Sequence, residues 1–197
     1  MAEDKRVRKT KRYIKQALTQ SLEEKPFEQI TVTELCAKSD ISRITFYAHY
    51  SDKFALAEEM FSEMLESATA DYRAMQRENN PDNDTVQTFC NLLECILNLY
   101  NANMSLLTRT TIDKNPYLYH MFYDYIVRNV ELVLVHRSQV IRPKYSIKQT
   151  SGFICNSLWA FFSEARLEGN KNSALRKDAK KVLADLLNAE IVTEFIR

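Results

Sequence analysis

The chain has 197 residues, of which 45% are hydrophobic and 27% charged, a balance typical of a globular protein with a buried core. It contains only two glycines and four prolines. These are too few turn formers for an all-β fold, so long helices are favoured. No stretch approaches the roughly 20 apolar residues of a membrane span, and the charged N-terminus lacks the apolar segment of a secretory signal. We therefore expect a cytoplasmic protein with no membrane partner.

Positive charge is concentrated at the N-terminus. The formal net charge is +1, but residues 1–53 carry a net +3 and the remainder a net −2. The basic run there includes Lys9 and Arg12. Cations at a helix N-terminus oppose the macrodipole at about 0.3–1 kcal/mol each. Nearby phosphates would offset that cost. The run therefore suits a polyanion such as DNA, the alternative being a solvated tail.

The cysteine and histidine patterns argue against catalysis. The four cysteines lie in apolar surroundings and form no C-x-x-C pair, which predicts reduced, buried thiols. None of the three histidines has metal-ligand spacing to another His or Cys, and P-loop and nucleophile-elbow motifs are missing. We therefore predict neither an enzyme nor a metal or cofactor site.

The first predicted helix runs from about residue 5 to residue 24 and ends before Pro26. One face at helical spacing carries the residues that we expect in the core. They are Ile14, Ala17, Leu18, Ser21 and Leu22.

Two short helices with a tight turn between them are predicted next. Thr31 and Glu34 form a T-x-x-E capping box at the start of the first helix. Asp40 tolerates the left-handed turn conformation, and Ser42 is an N-cap for a helix that ends near Tyr50. This arrangement is a helix-turn-helix, whose second helix enters the DNA major groove.

A helical wheel of the second helix separates a core face from a DNA face. Phe46 and Tyr50 point inward, whereas Ile44, Thr45 and Ala48 point outward. An outward isoleucine suits thymine methyl groups, and the small alanine lets the helix approach the bases. The flanking polar residues complete the expected DNA surface: Arg43 toward guanine, His49 beside it, and Thr33, Ser42, Tyr47 and Lys53 toward phosphates.

The rest of the chain is also predicted to be helical. Ser51 is expected to cap a fourth helix that continues to about Arg77, and a turn-rich segment, NNPDND, follows. Further helices are predicted over about 84–102, 103–112, 116–137, 146–168 and 174–196. The fold class is therefore all-α, with about nine helices and no strand.

The motif TVTELCAKSDISRITFYAHYSDKFAL resembles the DNA-binding region of TetR/AcrR (tetracycline-repressor-type) regulators. The matching positions are Thr31, Leu35, Ile41, Ser42, Thr45, Tyr47, Tyr50 and Lys53. Asp40 and Cys36 depart from the usual glycine and alanine. The resemblance implies DNA contacts at Thr33, Thr45, Tyr47 and Lys53. It also implies a homodimer on palindromic double-stranded DNA, most often a repressor released by a small-molecule effector.

We accordingly divide the chain into a DNA-binding domain, residues 1–53, and a helical ligand-binding and dimerisation domain, residues 54–197. Aromatic and sulfur-bearing residues of the second domain suit a pocket for a small apolar or aromatic ligand. The candidates are Tyr100, Met104, Tyr119, His120, Tyr123, Trp159 and Phe162. A well-packed core without a ligand, with control by a partner protein, is the alternative.

The last two predicted helices carry broad apolar stripes, which suit an isologous four-helix dimer interface. The candidates are Phe161, Ala165, Leu183, Leu187 and Ile191. The alternative is that both stripes are covered within one subunit.

Overall fold

The computed structural model describes residues 5–102, 115–167 and 172–196. The described part of the chain contains eight α-helices, one short 3₁₀ helix and two short strands. In chain order the elements are α1 (Lys5–Glu24), the 3₁₀ helix (Phe27–Gln29), α2 (Val32–Ser39), α3 (Arg43–Tyr47), α4 (Lys53–Asn79), α5 (Thr85–Ala102), α6 (Pro116–His136), β1 (Ile141–Pro143), α7 (Ile147–Leu167), α8 (Asn172–Asn188) and β2 (Thr193–Phe195). The predicted helix over 103–112 lies outside the described residues.

The helix starts follow local side-chain capping. The backbone N–H of Ala55 donates to Asp52 Oδ1 at 2.8 Å, so Asp52 caps α4, and the prediction of Ser51 as the cap is wrong by one residue. The backbone N–H of Gln149 donates to the Ser146 hydroxyl, and the Ser146 N–H donates to Gln149 Oε1, which forms a capping box before α7. No helix of the described residues is both long and apolar enough to span a bilayer.

The chain forms two compact units. The first comprises Met1–Ser67 and Tyr100–Met121, and the second comprises Ala68–Leu99 and Phe122–Arg197. The first unit contains the predicted DNA-binding domain, residues 1–53, together with the first part of α4 and the start of α6. The expected core face of α1 is confirmed, because all five of its residues are buried.

The second unit has its own core, to which α5, α6, α7 and α8 all contribute. Leu93, Leu134, Ile154 and Leu183 are among its buried residues. Burying a leucine or isoleucine fully stabilises a fold by about 1.5–3 kcal/mol, so packing of these faces holds the helices together. The four cysteines are free thiols and all are buried, as predicted.

The C-terminal segment corrects the prediction of a last helix reaching residue 196. Helix α8 ends at Asn188, and Glu190 adopts a left-handed φ of 51°, which breaks the helix. The β-branched run after it favours an extended chain. Strand β2 pairs antiparallel with β1, with Ile141 opposite Phe195 and an ion pair between Arg142 and Glu194. The expectation of no strand is therefore wrong for these two segments.

Candidate nucleic-acid interface

Helix α2 begins at the predicted capping box. The Thr31 hydroxyl accepts from the Glu34 N–H at 3.3 Å, and the Glu34 carboxylate accepts from the Thr31 N–H at 2.9 Å. Hydrogen bonds from Lys25 and Thr31 lower the pKa of Glu34 to about 2, so this carboxylate is ionised at neutral pH. The reciprocal bonds satisfy two N–H groups that the helix itself leaves without partners.

The turn between α2 and α3 also follows the sequence. Asp40 has φ 53° and ψ 48°, the left-handed conformation predicted for it. Ser42 is the N-cap of α3, where its hydroxyl accepts from the Thr45 N–H at 3.1 Å. The two hydroxyls of Ser42 and Thr45 are also 2.9 Å apart. A tight turn and a capped second helix therefore form the expected helix-turn-helix.

Helix α3 presents the predicted two faces. Phe46 is fully buried and Tyr50 is 3% exposed, whereas Ile44 is 84% exposed and Tyr47 is 56% exposed. The Phe46 ring contacts the Tyr50 ring at a centroid distance of 5.8 Å, which anchors the inner face. The predicted orientation is confirmed for Phe46, Tyr50, Ile44 and Ala48, whereas Thr45, which was predicted to face outward, is half-buried.

The regular part of α3 is shorter than predicted. The helix ends at Tyr47, and exposed Ala48 is its C-cap with right-handed helical angles. The N–H groups of His49 and Tyr50 both donate to the Phe46 carbonyl, so the chain tightens after the helix. His49 is half-buried, with its ring centroid 6.5 Å from that of Tyr50. Ile44 and Ala48 remain on the exposed side.

Two predicted DNA residues contact each other at the edge of this face. Arg43 Nη2 donates to Thr33 Oγ1 at 2.6 Å, and both residues are exposed. The contact joins α3 to α2 and restricts the guanidinium to the exposed surface. A guanidinium has five N–H donors, so this single bond leaves donors for a base edge or a phosphate.

Lys53 differs from the expectation of a phosphate contact. Its ammonium donates to the backbone carbonyls of Phe27, Glu28 and Ile30, each at 2.8 Å. An ammonium has three N–H donors, so these three bonds use all of them. Burial lowers the pKa of Lys53. In this structure the half-buried side chain holds the turn before α2.

The basic run on α1 divides into paired and exposed cations. Lys11 and Lys15 form ion pairs with Glu59 of α4, at 2.9 and 2.7 Å. Burial by itself raises the pKa of Glu59, but hydrogen bonds from Lys15, Lys11 and Tyr50 outweigh it and hold the pKa below its ordinary value. Lys9 and Arg12 are exposed, as a phosphate contact requires.

Asn115 and Tyr117, which sequence reasoning did not include in the site, contact the turn that Lys53 holds. The buried Asn115 accepts a hydrogen bond from the Phe27 N–H, and the Tyr117 ring stacks on the Phe27 ring. The local signal is an Asn-Pro pair at the start of α6. That pair marks a helix start, but not the distant turn it would contact.

The predicted pocket residues are only partly described. Tyr119 is half-buried beside exposed His120, with ring centroids 5.6 Å apart. The Tyr123 hydroxyl accepts from Asn156 Nδ2 at 2.9 Å, and Trp159 is half-buried. The remaining candidates lie outside the described side chains; they are Tyr100, Met104 and Phe162. The pocket stays a prediction.

The predicted dimer residues need a correction. Leu183 is 2% exposed and Leu187 is fully buried in the core of their own unit, so neither is available to a partner. Phe161 packs against the same core, and Ile191 is 55% exposed. The side chain of Ala165 lies outside the described residues. Most of the α8 stripe is therefore covered within one chain.

Several solved structures are similar to this chain. A TetR transcriptional regulator from Streptococcus agalactiae 2603V superposes with a TM-score of 0.62 at 18% identity, over 93% of this chain and 96% of that one. A TerR/AcrR-family regulator from Aquifex aeolicus VF5 gives 0.55 at 14%, over 88% and 97%. A gamma-butyrolactone receptor, described as ArpA-like, gives 0.51 at 15%, over 95% and 100%.

No protein-family model and no curated protein matches this chain. The structural similarity nevertheless extends over nearly the whole chain in each superposition. The chain has the all-helical fold of TetR-family transcriptional regulators, as its helix-turn-helix motif predicted.

Proposed function

We propose that this protein is a non-enzymatic, DNA-binding transcriptional regulator that places α3 in the major groove. The observation that carries the proposal is the exposure of Ile44, which is 84% solvent-accessible beside a fully buried Phe46. A large apolar side chain so exposed on a short capped helix gains from contact with another surface. The thymine methyl group is the apolar feature of the major groove.

Each residue of the α3 surface has a distinct proposed role. Arg43, held beside Thr33, supplies a guanidinium for the O6 and N7 acceptors of guanine. Ala48 lets the backbone approach the bases. Thr45 and His49, both half-buried, are proposed to contact DNA beside these residues. Tyr47, 56% exposed, carries a hydroxyl suited to a phosphate oxygen.

The exposed cations of α1 supply the sequence-independent part of the binding. Lys9 and Arg12 are exposed, whereas Lys11 and Lys15 are already paired with Glu59. Each phosphate neutralised by the protein adds about 0.9 to the slope of log K against log salt. We therefore propose that Lys9 and Arg12 are phosphate contacts.

We also propose that the protein works as a homodimer on a palindromic operator, and as a repressor released by a small apolar or aromatic ligand. Two copies of α3 about 34–36 Å apart would read successive major grooves on one face of DNA. A structural neighbour whose name describes it as a gamma-butyrolactone receptor supports a small-molecule effector. Phe153 of α7 and Ile191, which are 45% and 55% exposed, are the apolar side chains we propose for the dimer contact.

The experiment selects duplexes from a random-sequence pool with the purified protein and measures affinity for the enriched duplex by fluorescence anisotropy at several salt concentrations. We expect an enriched palindrome and an affinity that falls steeply with salt. Light scattering should give about 46 kDa, twice the 23.0 kDa chain mass. No enrichment, and no salt-sensitive binding to any duplex, would contradict the proposal.

A further inference from the structure

A side chain at the start of α4 binds the turn before α2. The two ends of the helix-turn-helix segment are therefore in contact with each other. The ammonium of Lys53, the first residue of α4, donates to the carbonyls of Phe27, Glu28 and Ile30. The segment between Ile30 and Lys53 contains α2, the turn and α3. Both ends of the DNA-reading segment are therefore fixed by a single side chain.

Two aromatic rings lie beside the same ammonium. Lys53 Nζ is 4.9 Å from the centroid of Phe27 and 5.5 Å from that of Phe54. These two rings meet edge to face at 5.4 Å. Both rings lie within cation–π distance of the half-buried Lys53, whose pKa is lowered by burial.

The start of α6 completes this arrangement. The Tyr117 ring lies parallel to that of Phe27 at 5.5 Å and meets Phe54 edge to face at 4.8 Å, so the three rings are in mutual contact. Asn115, 1% exposed, accepts from the Phe27 N–H. The Tyr117 hydroxyl donates to Glu58 Oε1 of α4 at 3.0 Å.

We propose that Lys53, Asn115 and Tyr117 are positioning residues that hold the helix-turn-helix in its DNA-reading arrangement, and that Lys53 acts through backbone carbonyls and not through a phosphate. We call this group, with Phe27 and Phe54, the hinge cluster. The proposal rests on the proposed function, because it concerns how α3 is held for DNA. It follows from the complete use of the three Lys53 donors and from the contacts that α6 makes with the turn.

The first test separates positioning from phosphate contact. Lys53→Met removes the ammonium at nearly constant length, and Lys9→Met is the matched control at an exposed lysine. Anisotropy against the duplex enriched by the wild-type protein should show at least tenfold weaker binding for Lys53→Met with an unchanged salt slope. Lys9→Met removes one proposed phosphate contact from each subunit of the dimer and should lower the slope by about 1.8. A slope lowered by the same amount in Lys53→Met would overturn the proposal.

The second test begins with a measurement on the protein without DNA. Tyr117→Leu removes the stacked ring, and Tyr117→Phe keeps it while removing the hydroxyl. In the protein without DNA, Tyr117→Leu should accelerate amide hydrogen exchange at least tenfold in peptides covering residues 26–50, and Tyr117→Phe should restore near-wild-type exchange. The same order should hold for affinity toward the enriched duplex, at a temperature where circular dichroism shows every variant folded.

The tests distinguish failure of the hinge-cluster proposal from failure of the proposed function. If the wild-type protein binds no duplex, the proposed function is wrong, while the exchange measurement still decides whether the hinge cluster holds the turn. If the wild-type protein binds DNA and Tyr117→Leu matches it in both exchange and affinity, the hinge-cluster proposal is wrong. Should Lys53→Met not fold, the two Tyr117 variants still decide whether the hinge cluster holds the turn.

Discussion

Two neighbouring side chains on α3 should separate folding from DNA binding. Phe46 is fully buried and Ile44 is 84% exposed, although only one residue lies between them. Replacing each by alanine removes apolar carbon atoms from opposite faces of the same helix. We expect Phe46→Ala to lower the free energy of unfolding, and Ile44→Ala to lower DNA affinity with the fold intact.

The magnitudes follow from the exposure of each residue. Truncating a buried phenylalanine costs about 3–5 kcal/mol, a large part of the roughly 5–15 kcal/mol that stabilises a typical protein. Ile44→Ala changes a surface position and should alter stability by no more than about 0.5 kcal/mol. Ile44→Ala removes three side-chain carbons, each worth about 0.8 kcal/mol when it is fully buried. If DNA covers half of their surface, the variant loses roughly 1 kcal/mol of binding free energy per half-site. A dimer on two half-sites then binds about thirtyfold more weakly.

The assay combines urea unfolding followed by circular dichroism with anisotropy on the enriched duplex. Both variants are measured at 15 °C, so that the destabilised Phe46→Ala is as folded as possible. Ile44 is not a DNA-contacting surface residue if Ile44→Ala unfolds at much lower urea than the wild-type protein, or if it binds the duplex with unchanged affinity.

Three further outcomes are expected. Thr31→Ala removes the N-cap acceptor of α2 and should cost about 0.5–2 kcal/mol in urea unfolding, and an unchanged midpoint would contradict the cap. Leu187→Ala should cost about 2–5 kcal/mol at every protein concentration, because Leu187 is fully buried within its own chain, and concentration-dependent loss would favour a subunit contact instead. Glu59→Gln should lower the free energy of unfolding at pH 7. Because the folded pKa of Glu59 is lowered from 4.5, the stability it adds is present above that value and is lost as pH falls through the folded pKa. If the urea midpoint of Glu59→Gln differed from that of the wild-type protein by the same amount at pH 7 and at pH 3, the ion pairs of Glu59 would be excluded as the cause.

The parts of the site that depend on neighbouring residues could be predicted from the sequence. A helix cap is a contact between residues three positions apart. The caps that join Thr31 to Glu34 and Ser42 to Thr45 can therefore be recognised from the sequence alone. The burial of Phe46 likewise follows from helical periodicity. These local patterns place α2, the turn and α3 correctly without knowledge of the rest of the chain.

The parts that depend on distant residues could not be predicted. Nothing in the sequence near Lys53 indicates that its donors bind carbonyls 23 to 26 residues earlier. A lysine that binds backbone carbonyls and a lysine that faces solvent have the same local sequence pattern. The pairing of Ile141 with Phe195 joins segments far apart in the chain. The apolar stripe containing Leu187 is the same whether its own core or a partner covers it.

A cutting reagent attached to α3 tests most directly whether this helix reads DNA. All four native cysteines are buried, so a single Ile44→Cys substitution allows selective attachment of an iron chelate that cleaves nearby DNA. The control, Glu66→Cys, lies on α4, about 20 Å of helix beyond Lys53. With the enriched duplex, we expect strong cleavage within each half-site from position 44 and much weaker cleavage from position 66. Equal cleavage from both positions, or none from position 44 on a bound duplex, would contradict the claim that α3 reads DNA.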